Sequence, residues 1–165
     1  MNNPDRPITK NQVPKITPEI SKFIEAMGVY FEEQGVPRIG GRILGFLMVT
    51  RDPISADRLV TSLKVSGGSV STNLRLLLAS GLVEKVSIHG DRTTFYVFSE
   101  TAWDKMMEIA IQKAGTFHKI VQHGLGALPS GDFARHRLER AAEWTDFAAD
   151  FYQKALARWQ VSRKK

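Results

Sequence analysis

The chain contains no cysteine, which excludes disulfides, zinc–thiolate sites and thiol nucleophiles and suits a reducing cytoplasm, the location expected for it. It also lacks any apolar run near the roughly 20 residues that a membrane-spanning helix needs, so no membrane partner is expected. Residues 1–16 carry Pro4, Pro7 and Pro14 among Arg6, Lys10 and Lys15. With no apolar stretch suited to a secretory signal, they are expected to form a flexible arm. Catalytic patterns are missing as well: there is no phosphate-binding glycine loop, no nucleophile elbow and no paired catalytic carboxylates. The histidines His89, His118, His123 and His136 include no pair at the i, i+4 spacing of a helical metal site. Neither enzyme activity nor a metal or other cofactor is therefore expected. Acid is in the minority, with 17 Asp and Glu against 23 Lys and Arg in 165 residues, a formal net charge of +6. Such an excess favours polyanionic partners only where it falls on a surface shaped to meet one.

What the chain does have is regular punctuation. Thr17-Pro18-Glu19 is a helix start, with a capping hydroxyl, proline in the first turn and an acid at the positive dipole end. Ile20, Phe23, Ile24, Met27 and Phe31 recur at three- and four-residue steps until Gly35 stops the helix. Pro37 opens a second helix with Ile39, Ile43, Phe46 and Leu47 on one face. Its Gly40, Gly41 and Gly45 cost about 1 kcal/mol each against alanine, which points to a neighbouring backbone that must come close.

Ser55 then caps a short helix, with Ile54 before it and Leu59 inside it as a hydrophobic staple. The device repeats after Lys64: Ser66 caps, Val65 staples to Val70, and the helix continues through Leu74, Leu77 and Leu78 to Gly81. Two short helices across a turn of three or four residues form a helix-turn-helix. Leu82 to Ile88 alternates as a strand, His89-Gly90-Asp91 turns, and Thr93 to Phe98 is rich in strand formers. The expected fold class is mainly α with a small β-hairpin, a winged helix-turn-helix domain over residues 37–99. An N-terminal helix over residues 17–36 and a helical region over residues 100–165 would supply dimerisation.

In the second helix of such a motif Val70, Leu74 and Leu77 face inward. Ser66, Gly68, Ser69, Ser71, Thr72, Asn73 and Arg75 are expected to reach double-stranded DNA. Arginine can bond guanine bidentately, asparagine adenine, and serine or threonine a base or a phosphate. Gly67 and Gly68 would let phosphate approach the free amides of the helix start. The alternative is an ordinary solvated face with serines serving only as caps. Arg92 at the wing tip suits the narrow minor groove, with Asp91 as its orienting neighbour or as acceptor for the turn backbone. Lys64, Arg58 and Lys85 would add phosphate charge. Leu76 and Leu78 exceed what an exposed face needs, so at least one is expected to pack.

After Thr101 the pattern is helical to about His123, with a break expected at Gly124, Gly126 and Pro129 before a long helix from Asp132 to near Gln160. On a helical wheel Leu138, Ala141, Thr145, Ala148, Tyr152, Ala155 and Trp159 share one arc, which Trp144, Phe147 and Phe151 widen to about half the circumference. A helix so widely apolar must pack on two sides, and a second copy of the chain is the economical partner. Phe23, Met27, Tyr152, Ala155 and Trp159 are the expected interface of a homodimer.

The runs Gly28–Gly45 (GVYFEEQGVPRIGGRILG), Ser66–Thr72 (SGGSVST), Gly81–Lys85 (GLVEK) and Gly90–Arg92 (GDR) together resemble the GbsR-like branch of the MarR-type regulators, over roughly residues 20 to 100. The resemblance implies a dimeric, repressor-like transcriptional regulator on a pseudo-palindromic operator, with terminal helices forming the dimer. Thr93 stands where such proteins commonly carry a second basic wing residue, and Asn73 where an apolar residue often precedes Leu74. The resemblance also brings a choline- or betaine-like effector into consideration, since aromatic faces attract quaternary ammonium groups. Against it, Tyr30, Trp103, Phe117 and the aromatics of the last helix read as core and dimer seam. The alternative functions are a winged-helix module that binds protein and an architectural DNA binder without sequence preference.

Overall fold

The computed structural model describes residue 13 and residues 15–163, so the expected arm lies largely outside the described residues. The chain divides into two compact units, one ending at Ala102 and one beginning at Trp103.

The first unit runs α1 (Pro18–Glu33), α2 (Arg38–Val49), β1 (Ile54–Ser55), α3 (Ala56–Leu63), α4 (Gly67–Ala79), β2 (Val83–Ser87) and β3 (Thr94–Phe98). The Thr17 hydroxyl caps α1 by accepting the Ile20 amide at 3.3 Å. Hydrogen bonds from Thr17 and from its own backbone hold the Glu19 carboxyl below its usual pKa. At the other end Gly35 takes φ +82°, and the amides of Gly35 and Val36 bond back to Glu32 and Phe31.

The glycines of α2 serve the close approach expected of them. A Cβ on Gly41 would lie 2.6 Å from the Met27 carbonyl oxygen and 2.9 Å from Gly28 Cα, and one on Gly45 would lie 2.9 Å from Met27 Cβ. α1 thus rests its backbone directly on α2. Opposite this contact α2 forms the centre of the core, with Ile43, Leu44, Phe46 and Leu47 each 2% exposed or less.

The expected hairpin is a three-stranded antiparallel sheet of order β1-β3-β2. β2 and β3 pair from Val83↔Phe98 to Ser87↔Thr94, and the two-residue β1 adds Ile54↔Tyr96 and Ser55↔Phe95. Ile54 is therefore a sheet residue as well as the residue before a cap. The next residue, Ser55, accepts the Arg58 amide at 3.3 Å and starts α3. Ile54, Val83 and Phe95 are buried beneath the sheet.

The second unit is a helical hairpin, with α5 (Ala102–Ala127) followed by α6 (Phe133–Ser162). The break expected at Gly124 and Gly126 falls later: α5 continues through both glycines, and the chain leaves the helix at Leu128. Contacts between the helices override the low propensity of glycine. Gly124 faces Leu138, whose Cδ1 would be 3.1 Å from an added Cβ. The Arg135 guanidinium bonds the carbonyls of Leu125 and Leu128 at 3.0 and 3.3 Å, satisfying the end of α5. Gly131 then takes φ +90°, and Asp132 caps α6 through the Ala134 amide at 2.7 Å. Further along the hairpin His118 Nδ1 meets Thr145 Oγ1 at 2.9 Å and Asp146 Oδ1 at 3.0 Å, and Arg163 pairs with Asp104 at 2.7 Å. Among the described residues no helix is long and apolar enough to cross a membrane.

Candidate nucleic-acid interface

The turn between α3 and α4 is Lys64-Val65-Ser66. Lys64 takes the left-handed conformation, φ +54°, and is exposed. Behind the turn lies a device that sequence reasoning missed. Arg42 of α2 donates from Nη2 to the Leu63 carbonyl at 3.0 Å, while its Nε lies 2.7 Å from Glu25 of α1. One guanidinium thereby ties α1 to the last carbonyl of α3 and holds the entry to α4. The only signal was an arginine placed among the apolar residues of α2.

The Ser66 hydroxyl caps α4 by accepting the Ser69 amide at 3.2 Å and donates to the Ser69 hydroxyl at 2.8 Å. Both serines are thus engaged at the helix start, and Ser69 is half-buried. Ser66→Ala is expected to lower stability by about 1 kcal/mol, measured as a lower urea midpoint at unchanged slope. Val70, Leu74 and Leu77 point into the core at 0, 3 and 2% exposure. Gly68, Ser71, Thr72 and Arg75 are exposed on the other side. An added Cβ on Gly67 or Gly68 would meet nothing within 4 Å, so neither glycine serves packing. Arg75 Nη2 reaches Thr72 Oγ1 at 3.4 Å, a long bond that leaves its fork available. α4 carries no acidic residue, so nothing in the helix itself opposes an anion at its positive end.

Asn73 corrects the expected set. It is 6% exposed, its Nδ2 donates to the Ser69 carbonyl at 2.9 Å, and its Oδ1 would lie 2.9 Å from a Cβ on Gly40. Asn73 therefore packs against α2 and is turned away from the exposed face. Of the two surplus leucines, Leu78 is half-buried and Leu76 stays 49% exposed.

In the wing Gly90 takes φ +79°. The Asp91 amide donates to the Ile88 carbonyl at 3.0 Å, and Asp91 Oδ1 accepts the Thr93 amide at 2.9 Å. Asp91 orders the turn backbone, and Arg92 beside it is exposed, as are Arg58 and Lys85. Among the residues expected at a dimer interface, Phe23 and Tyr152 are exposed at 38 and 37%, while Ala155 and Trp159 are half-buried. Met27 is half-buried with its backbone and Cβ against Gly41 and Gly45. Among the described residues no three His, Cys, Asp or Glu are grouped to hold a metal.

A helix-turn-helix whose acid-free outer face carries serine, threonine and arginine, with an arginine-tipped wing on a small sheet, defines the class of winged-helix DNA-binding proteins. Comparison with known proteins narrows this. The HTH-type transcriptional regulator MmpR5 of Mycobacterium tuberculosis (strain ATCC 25618 / H37Rv) is 36% identical over 134 residues, which covers 80% of this chain and 79% of that protein. The family model for MmpR5-like MarR family transcriptional regulators matches residues 101–162. A transcriptional regulator of known crystal structure is similar with a TM-score of 0.75 at 32% identity, covering 87% of this chain and 99% of that one. The chain belongs to the MarR family of transcriptional regulators.

Proposed function

We propose that the protein is a homodimeric, sequence-specific repressor. Each subunit lays the start of α4, from Ser66 to Arg75, in a major groove and sends Arg92 into the adjacent minor groove of a pseudo-palindromic operator. The observation that carries this is the outward side of α4. Gly68, Ser71, Thr72 and Arg75 are all free of the core; the side chains of Ser71, Thr72 and Arg75 are chemically able to read base edges, Gly68 leaves room for the duplex, and no carboxylate accompanies them on the helix. Selection from random duplexes tests it. An inverted repeat with half-sites about 34 Å apart is expected, whereas equal binding to all duplexes would contradict it.

Dimerisation is assigned to α1, α5 and α6. On α6 Ala142, Thr145 and Ala148 are buried, while Trp144, Phe147 and Phe151 are 60, 68 and 57% exposed, and Phe147 stacks on Phe151 at 6.4 Å. So much exposed aromatic surface on one helix suits a second copy of the chain. A monomer in a sizing experiment would overturn that part. The likeness of Gly28–Gly45 and the wing to the GbsR-like branch extends the proposal to a quaternary ammonium effector such as choline or betaine. Its test is release of the selected duplex on adding either compound.

A further inference from the structure

We propose that Leu76 is a specificity-determining residue that reads the 5-methyl group of a thymine in the major groove; the inference rests on the DNA-binding role of α4 proposed above. α4 buries Val70, Asn73, Leu74 and Leu77. At 100° per residue the opposite side runs from Ser71 through Arg75, Gly68 and Ala79 to Thr72, with Leu76 next around the helix from Thr72 and one turn further along it. Every residue of this outward arc except Leu76 is small, polar or charged. Leu76 is the single large apolar side chain there, and it stands 49% exposed.

The fold does not use this exposed surface. The staple, the cap and the inward stripe of α4 are complete without it, and Leu78 supplies the half-buried contact on the other flank. Thymine is the one base that presents a methyl group in the major groove. A leucine beside Thr72 and Arg75 gives that methyl an apolar neighbour, while the polar residues read hydrogen-bonding edges. The chemistry is dispersion and water release, so it discriminates T from C and from deoxyuridine without a hydrogen bond.

The experiment uses the full chain and the duplex recovered by random selection. Each symmetric pair of thymines is replaced by deoxyuridine in turn, which removes the methyl and keeps the base pairing. Wild-type protein is expected to lose about fourfold in affinity per half-site at one such pair, the equivalent of about 0.8 kcal/mol for one buried methyl. Leu76→Ala is expected to bind the thymine duplex more weakly and to show no further loss at that pair. Leu76→Met, which keeps an apolar reach, should retain the discrimination. If Leu76→Ala keeps the wild-type ratio of thymine to deoxyuridine affinity at every pair, or if wild type shows no loss at any pair, the inference is overturned while the DNA-binding role stands. If wild type selects no duplex at all, the DNA-binding role itself fails.

Discussion

Arg75→Ala is expected to weaken binding to the selected duplex by about 1–3 kcal/mol per half-site, or about 5- to 150-fold, and a symmetric dimer counts the loss twice. Arg75 is exposed on the third turn of α4, and the hydroxyl of Thr72 at 3.4 Å is too distant to hold its guanidinium firmly. The side chain gives the fold little, so the variant should stay within about 0.5 kcal/mol of wild-type stability. Competition among duplexes altered at single positions gives the diagnostic readout. Loss of preference at one symmetric position is the expected result, because only a base contact is local in sequence. An equal loss on every duplex, with a salt slope lower by about one, would move Arg75 to a phosphate. Arg75→Lys should not restore the preference, since an ammonium cannot bond guanine N7 and O6 as a planar fork does.

Gly41→Val is expected to produce the largest loss of stability, about 3 kcal/mol, at the upper end of the usual range for overpacking. Even the first added carbon would stand 2.6 Å from the Met27 carbonyl oxygen and 2.9 Å from both Gly28 Cα and Phe31 Cβ. Two of these three neighbours are main-chain atoms that no rotamer change can move, so α1 must lift from α2. That motion also strains the tie from Glu25 through Arg42 to the Leu63 carbonyl, and DNA binding should fall together with stability. Gly68→Ala is the control. A methyl there meets open space, and the variant without DNA should gain up to about 1 kcal/mol from helix propensity. Denaturant midpoints at matched slopes compare the two. An unchanged midpoint for Gly41→Val would contradict the close crossing of α1 and α2.

What could be read from the sequence was local chemistry. Thr17, Ser55 and Ser66 each cap a helix where a hydroxyl stands before an apolar-periodic run, because a cap bond spans only three residues. The glycines of α2 were legible for a related reason: a helix that tolerates Gly40, Gly41 and Gly45 must gain something from closeness. Distant partners were not legible. β1 is two residues long and exists through pairing with Phe95 and Tyr96, some forty residues away. α5 survives Gly124 and Gly126 because Leu138 and Arg135 of α6 pack against and cap it. Asn73 is of a residue type that suits adenine, yet it lies one position from Leu74 and only three from Val70. Its neighbours on the helix put it at the edge of the buried stripe, and contact with Gly40 drew it in. The runs that resemble the GbsR-like branch lie within residues 20–100, whereas the MmpR5-like family model matches residues 101–162, whose sequence shows only an amphipathic pattern.

Specific recognition of DNA is tested most directly by the affinity of the full chain for its selected duplex and for a scrambled one, measured across a range of salt concentrations. Affinity for both duplexes should fall steeply as salt rises, because phosphate contacts release counterions. The selected duplex should bind about a thousandfold or more tightly than the scrambled one at physiological salt. Equal affinity for the two duplexes, or no binding to either at low salt, would contradict a sequence-reading role for α4 and the wing.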